Sequence, residues 1–262
     1  MTVKNPLLPD RHRQRDFFVC DIINASPKDD LGSMEHPLFT LSKTPDTRIR
    51  TYEHKGNTIK IVPSAIGLAT IFDKDILIYC ISHLVEALNR GREINRTLRL
   101  TAYDLLVSTN RDTGGHSYKN LELSFQRLTG IRIFTNVKSG GLRIRGGFGL
   151  MESFRIIEKS PDNAQMVAVE ITLSEWLYRA VCGNEVLTIN RDYFRLKSGL
   201  DRRLYELARK HCGSQPEWKI STELLYKKSG AISPLKNFRF SIKRLVESNH
   251  LPDYKKVFVN DR

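Results

Sequence analysis

The sequence predicts an α+β protein made of two tandem units of one design. Three observations carry this. Strand-like and helix-like periods alternate along the chain, the order of these segments recurs about 120 residues later, and one ten-residue basic helix pattern occupies the same place in each unit. The chain's 262 residues are enough for two domains of ordinary size.

Residues 1–36 are mixed in character, and Pro27 to Gly32 reads as a turn, so this stretch is expected to be an extension packed onto a domain. From Leu38 to Ile61 the pattern is strand-like. Thr47 to Tyr52 alternates, and a Gly56-Asn57 turn precedes Ile59-Lys60-Ile61-Val62, which Pro63 closes. Asp73 opens a buried amphipathic helix, with Ile76, Leu77, Cys80, Ile81, Leu84, Val85 and Leu88 at steps of three and four, ending near Gly91. A short strand, Thr97 to Leu100, runs into Thr101, a cap for a short helix Ala102 to Val107. The polar stretch Ser108 to Gly115 then separates it from a second helix, Ser117 to Leu128. After Gly130, Ile131, Ile133 and Val137 alternate with Arg132, Phe134 and Asn136, and a Gly140-Gly141 turn returns the chain as Leu142 to Arg145, a hairpin signal. A further hairpin joins Phe154 to Ile157 with Met166 to Ile171 through Ser160 to Asn163.

The order then repeats. Gly183-Asn184 before Val186 to Ile189 answers Gly56-Asn57, and a helix starting at Asp201 answers the one at Asp73. Trp218-Lys219-Ile220-Ser221 answers Leu98 to Thr101 as a short strand entering a cap. Lys236 to Leu245 answers Lys119 to Leu128 with five of ten positions identical. The boundaries that follow are an N-terminal extension over 1–36, an N-terminal domain over 37–172 and a C-terminal domain over 173–262. Short helix, polar turn and second helix make a helix-turn-helix, and a hairpin after it makes a winged helix. Any pair of short amphipathic helices resembles the first pattern; its recurrence in a strongly basic chain raises its weight.

Forty-two Lys and Arg against 29 Asp and Glu give a formal charge of +13, which points to a polyanionic partner. At 100° per residue, Leu235, Phe238, Ile242, Leu245 and Val246 share one side of the second unit's helix, leaving Lys236, Asn237, Phe240, Lys243 and Arg244 opposite and Arg239 on the flank. Lys and Arg reach phosphates or guanine edges, and Asn bridges an adenine edge, so this face suits the major groove. Phe240 fits either a thymine methyl or a covered core position. The first unit's helix exposes Lys119, Asn120, Leu123, Gln126 and Arg127. Arg132, Arg143 and Arg145 project from one face of its hairpin, with Lys138 near the tip, which fits phosphate or minor-groove contact as well as a solvated sheet face.

Other classes fit poorly. The longest strongly apolar run, Ile76 to Ile81, is far short of the ~20 residues that span a membrane, and Met1 to Asp16 lacks the apolar stretch of a secretory signal, so a cytoplasmic protein with no membrane contact is expected. Cys20, Cys80, Cys182 and Cys212 stand singly, as buried or incidental thiols do. The seven histidines form no His-x-His pair, as an origin-nicking endonuclease with a metal site beside a nucleophilic tyrosine would need, and no P-loop is present. Gly146 to Gly149 reads as a bulge or bend, and Asp29-Asp30 as part of a turn. A non-enzymatic protein without a cofactor or metal is therefore expected.

Three stretches are long and specific: Arg15 to Ile22, Met34 to Ser42, and Gly67-Leu68-Ala69-Thr70-Ile71-Phe72-Asp73-Lys74-Asp75-Ile76-Leu77-Ile78-Tyr79-Cys80. With them, nearly the whole chain resembles the plasmid replication initiator protein A family. The resemblance implies a tandem winged-helix initiator that binds repeated sequences in double-stranded plasmid origin DNA, recruits host replication proteins and, as a homodimer, represses its own promoter. It makes Lys236, Asn237, Arg239, Lys243 and Arg244 the principal readers, with Lys119, Asn120, Gln126, Arg127 and the hairpin arginines secondary. A transcriptional repressor without a replication role is the alternative within the binding class. After Tyr254 to Val259 the sequence leaves no room for a full second wing.

Overall fold

The computed structural model describes residues 6–12, 26–54, 57–136, 138–139, 142–143, 146–160 and 163–258. Its centre is helix α2 (Lys74–Asn89). Thr70 and Asp73 start it reciprocally: the Asp73 amide donates to Thr70 Oγ1 and the Thr70 amide to Asp73 Oδ2. Gly91, at φ +66°, follows its C-terminus in the left-handed region. Buried residues run almost all round its first three turns, so α2 is a core helix enclosed by the others.

Strand β4 (Thr97–Thr101) leads into α3 (Ala102–Ser108), whose first turn is capped as the sequence predicts, with Thr101 accepting from the Asp104 amide. Helix α4 (Gly115–Gly130) follows. The long hairpin β9 (Met151–Ser160) and β10 (Asn163–Leu173) then folds back so that β10 pairs antiparallel with β4, giving a three-stranded sheet in the order β4-β10-β9.

A second sheet is assembled from segments far apart in sequence: β2 (Arg50–His54), β3 (Asn57–Val62), β5 (Arg132–Thr135) and β8 (Gly146–Phe148), in that order. Here the expected 131–145 hairpin is found, and it gains a further neighbour. Strand β5 lies between β3 and β8, with Ile133 opposite Ile61 on one side and Phe148 on the other. Its arms keep one antiparallel register, from Ile133 opposite Phe148 in β5 and β8 to Ser139 opposite Leu142 in β6 (Lys138–Ser139) and β7 (Leu142–Arg143); the pairing of β5 with β3 is what the pattern did not show. Period-two alternation fixes which face Ile131 and Ile133 bury, and both are buried, but it does not choose the neighbouring strand. Gly146, Gly147 and Phe148 are likewise strand rather than a bend, and the reason for glycine is local: a Cβ on Gly147 would lie 2.7 Å from the Phe134 ring opposite it.

The apparent turn at 27–32 is also corrected. It is a strand, β1 (Lys28–Asp30), followed by helix α1 (Leu31–Glu35), whose N-cap is Asp30 accepting from the Ser33 amide. Strand β1 pairs with β11 (Val186–Thr188), so the first part of the chain is tied to the second. A helix that the pattern did not show, α5 (Glu175–Cys182), precedes β11; its signal was Ser174, which accepts from the Leu177 amide.

The second unit is helical. A 3-10 turn over Arg191–Arg195 precedes α6 (Gly199–Cys212), α7 (Thr222–Ser229) and α8 (Leu235–Ser248). Helix α6 starts two residues before Asp201, capped by Ser198. Ser221 caps α7, but Trp218 to Ile220 forms no strand, and among the described residues after α8 there is none either. With no paired strand to complete, the backbone there has no ladder to join. Buried apolar side chains from Met34 to Leu251 form one continuous core.

Candidate nucleic-acid interface

Helix α8 has two sharply different sides. Phe238, Ile242 and Leu245 are buried, and the Phe238 ring meets Tyr226 of α7 edge-on at 5.1 Å. Lys236, Asn237, Arg239, Lys243 and Arg244 are all exposed. Phe240 shares their side and is 63% exposed, so of its two readings the core position is ruled out. The Arg244 guanidinium sits 6.0 Å from the Phe240 ring centroid. Of the four basic side chains, Arg239 alone has an acidic partner among the described residues, Glu223 of α7, at 2.5 Å. That pairing holds Glu223 below the usual carboxylate range.

Helix α4 divides its four candidates. Lys119 and Gln126 are exposed, and Gln126 donates to Glu122 one turn back. Asn120 and Arg127 lie along the side that borders an open cleft of about 450 Å³. Arg127 is a correction: it is a framework residue. Its Nε and Nη2 donate to the two Asp73 oxygens at 2.7 and 2.8 Å, pinning α4 to the start of α2 with a bidentate pair. Burial alone would raise the Asp73 carboxyl, but the Arg127 guanidinium holds it below its ordinary value. Arg132 is exposed on β5. Arg143 stands opposite Lys138 in the β6–β7 register, and Arg145 lies outside the described residues.

The neighbours of Asp73 form an arrangement that charge counting could not find. Lys74 is fully buried, with Nζ 2.6 Å from Asp29 and 3.0 Å from Glu206 of α6. Burial opposes its charge, yet these carboxylates carry its pKa above the ordinary lysine value. Asp75 meets Arg202 of α6 at 2.6 Å and Arg111 at 3.6 Å. Arg203 donates to Glu206 and to the carbonyls of Ser33, Met34 and Glu35. Three consecutive residues at the start of α2 therefore tie α4, β1 and α6 together, and Asp29-Asp30, expected in a turn, are buried inside this network.

Residues 28–256 match the family model described as replication initiator protein A. The chain belongs to the replication initiator protein A family. This initiator is also 43% identical over 254 residues to a protein of Wigglesworthia glossinidia brevipalpis whose name assigns it to replication, covering 96% of this chain and 92% of that one. Among solved structures it is similar to domains 2 and 3 of RctB, with TM-score 0.63, 10% identity, and 84% of this chain and 85% of that one covered. A second structure of RctB domains 2-3 gives TM-score 0.56 at 11% identity, with 83% of each chain covered. At such identity the likeness is one of mixed α/β fold. Among the described residues of the initiator, no helix is long and apolar enough to cross a membrane, and no group of three or more His, Cys, Asp or Glu is placed to hold a metal ion.

Proposed function

We propose that this initiator works as a non-enzymatic, sequence-specific binder of double-stranded origin DNA, docking on repeated plasmid sites through α8 and drawing in host replication proteins. The observation that carries the reading is the division of α8: three apolar residues buried on one side, and on the other five exposed basic or amide-bearing side chains, of which Arg239 is paired with Glu223. A helix fixed from behind and polar in front can enter the major groove without disturbing the core.

Within this reading the two units are winged helices over 37–172 and 173–262. In the first, α2, β4, α3 and α4 are followed by the ribbon over 131–145 that bears Arg132 and Arg143, and then by the β9–β10 hairpin, which pairs with β4 as a wing. The second has three helices and no described wing, so base reading falls on α8 itself. Lys119, Asn120, Gln126 and Arg132 supply secondary contacts, and a dimer bound at the promoter represses the gene.

Band-shift titration of the full chain against its own plasmid origin and against random duplex tests the proposal. Binding at least tenfold tighter to the origin is expected, and equal affinity overturns it. Relaxed or covalently attached product from supercoiled origin DNA, protein and a divalent metal would overturn the non-enzymatic part.

A further inference from the structure

Where a second wing would follow α8, the chain instead turns back over the first turn of α6. Asn249, at φ +43°, ends the helix in the left-handed region, its amide donating to the Leu245 carbonyl at 2.9 Å. His250 then uses both ring nitrogens. Nδ1 meets Ser248 Oγ at 2.7 Å and Nε2 meets Asp201 Oδ2 at 2.9 Å, with the His250 and Asp201 side chains only 11% and 15% exposed. Leu251 enters the core. Asp253, at φ +63°, turns its carboxylate onto the residues before α6: Oδ1 accepts from Asn190 Nδ2 at 2.7 Å and Oδ2 from the Tyr205 hydroxyl at 3.3 Å. The same hydroxyl accepts from the Asn190 amide at 2.6 Å, and the Tyr254 ring meets the Tyr205 ring at 5.6 Å. The Lys256 amide closes the turn by donating to Asn249 Oδ1 at 3.3 Å.

Helix α8 is thus gripped at its two ends by different helices. Its start leans on α7, through the Phe238 ring against Tyr226 and the Tyr226 hydroxyl on the Ser233 carbonyl. Its end is tied to α6 and to Asn190 by the turn just described. Between the grips, Ile242 and Leu245 bury apolar surface. Apolar burial is non-directional and holds a helix down without fixing its tilt, whereas hydrogen bonds weaken steeply when bent and so set an angle. Arg244 lies one turn from the grip on α6, and Asn237 lies in the first turn, beside α7.

We propose that residues 248–256 form a clasp in which His250 and Asp253 are positioning residues, setting the angle at which α8 presents Arg244 to base edges. The proposal rests on the DNA-binding reading above and deepens it with residues that act through α8 rather than by touching DNA. A bidentate base contact needs two well-aligned hydrogen bonds at once, while a phosphate contact carries no sequence information and tolerates displacement. A tilt of α8 therefore costs discrimination before it costs general affinity. His250 is the residue to change. Asp201 also faces the Lys256 ammonium, and in the first turn of α6 it keeps the favourable field of the helix N-terminus when the imidazole is gone, so its carboxylate is not stranded.

The test is band-shift titration of the full chain carrying His250→Ala against origin and random duplex over a range of salt. The origin-to-random preference should fall about tenfold, the worth of one misplaced bidentate contact, while affinity for random duplex and its salt slope stay unchanged. A merely structural role would instead lower both affinities together as folded protein is lost. His250→Gln, whose amide can donate to Asp201 in place of Nε2, should restore most of the preference. Asp253→Gly keeps the positive φ and removes the carboxylate, so it should reproduce the loss through the other arm of the clasp, and it carries the test if His250→Ala does not fold. A double-mutant cycle locates the effect: His250→Ala should be non-additive with Arg244→Ala and additive with Asn237→Ala. Additivity with Arg244→Ala, equal losses on both duplexes, or an unchanged preference in both clasp variants overturns the proposal. Those results leave the wider reading standing where Arg244→Ala alone weakens origin preference; a wild-type chain with no preference for origin DNA overturns the wider reading and the clasp with it.

Discussion

Lys74 at the start of α2 meets Glu206 on α6, Nζ to Oε1, at 3.0 Å, and neither side chain keeps more than 1% of its surface exposed. Glu206 also accepts from the Tyr193 hydroxyl at 2.7 Å and from Arg203 at 3.1 Å, so its oxygens are satisfied from both units. Removing the lysine would strand Asp29 and Glu206 without their shared cation. Lys74→Met is therefore expected to cost about 3–5 kcal/mol, since breaking a buried pair leaves uncompensated charge behind. Adding Asp29→Asn and Glu206→Gln should recover part of that loss, read as the midpoint of urea denaturation.

Arg127 and Lys119 stand on one helix and should separate in their effects. Arg127→Ala leaves Asp73, nearly wholly buried, without its bidentate partner, and should lower stability by roughly 3 kcal/mol while the origin-to-random preference of the folded protein stays unchanged. Lys119→Ala should leave stability within ~0.5 kcal/mol and weaken DNA binding. Thermal melts and band shifts on the two variants decide it.

What the sequence disclosed and what it concealed divide along physical lines. Helices α2 and α8 were legible because a 3.6-residue period is local, and Thr101 and Ser221 because a cap needs only its own turn. The β9–β10 hairpin was legible for the same reason. The hairpin that starts in β5 was legible in the same way, but its second neighbour β3 was not, because β3 lies some 70 residues earlier and alternation reports a face, never a neighbour. The network around Asp73, Lys74 and Asp75 was missed because a charged residue in sequence looks solvated; only three-dimensional packing shows Lys74 with no exposed surface. The basic side of α8 was readable since amphipathicity is a one-helix property. That Arg127 is turned inward depended on Asp73 of another helix.

On α8, Asn237 and Arg244 are the residues we propose as base readers. Each changed to Ala should erode origin-to-random discrimination by ~1–3 kcal/mol if its contact is bidentate, and equal losses on both DNAs would move it to the backbone. Arg239 is held by Glu223, so Glu223→Gln should tighten binding on all sequences by removing a negative charge beside the DNA, measured at low and high salt.

Acid sensitivity follows from two histidines. Burial, opposed by Glu35 and reinforced by Lys210, Arg203 and Lys228, lowers His36 to about 4, and burial opposed by Asp104 lowers His83 to about 4. The unfolded chain takes up these protons near 6.5, the folded chain only near 4, so between those values the unfolded state binds more protons. The histidines' contribution to stability should be level above pH 6.5 and fall as pH drops toward 4, by about 1–3 kcal/mol for each histidine. Denaturation at pH 7, 5.5 and 4.5 should show this slope, and His83→Gln should flatten it whatever it does to stability at pH 7. An unchanged slope in that variant would remove His83 from the account and leave His36 and His211, which burial also lowers, as its sources.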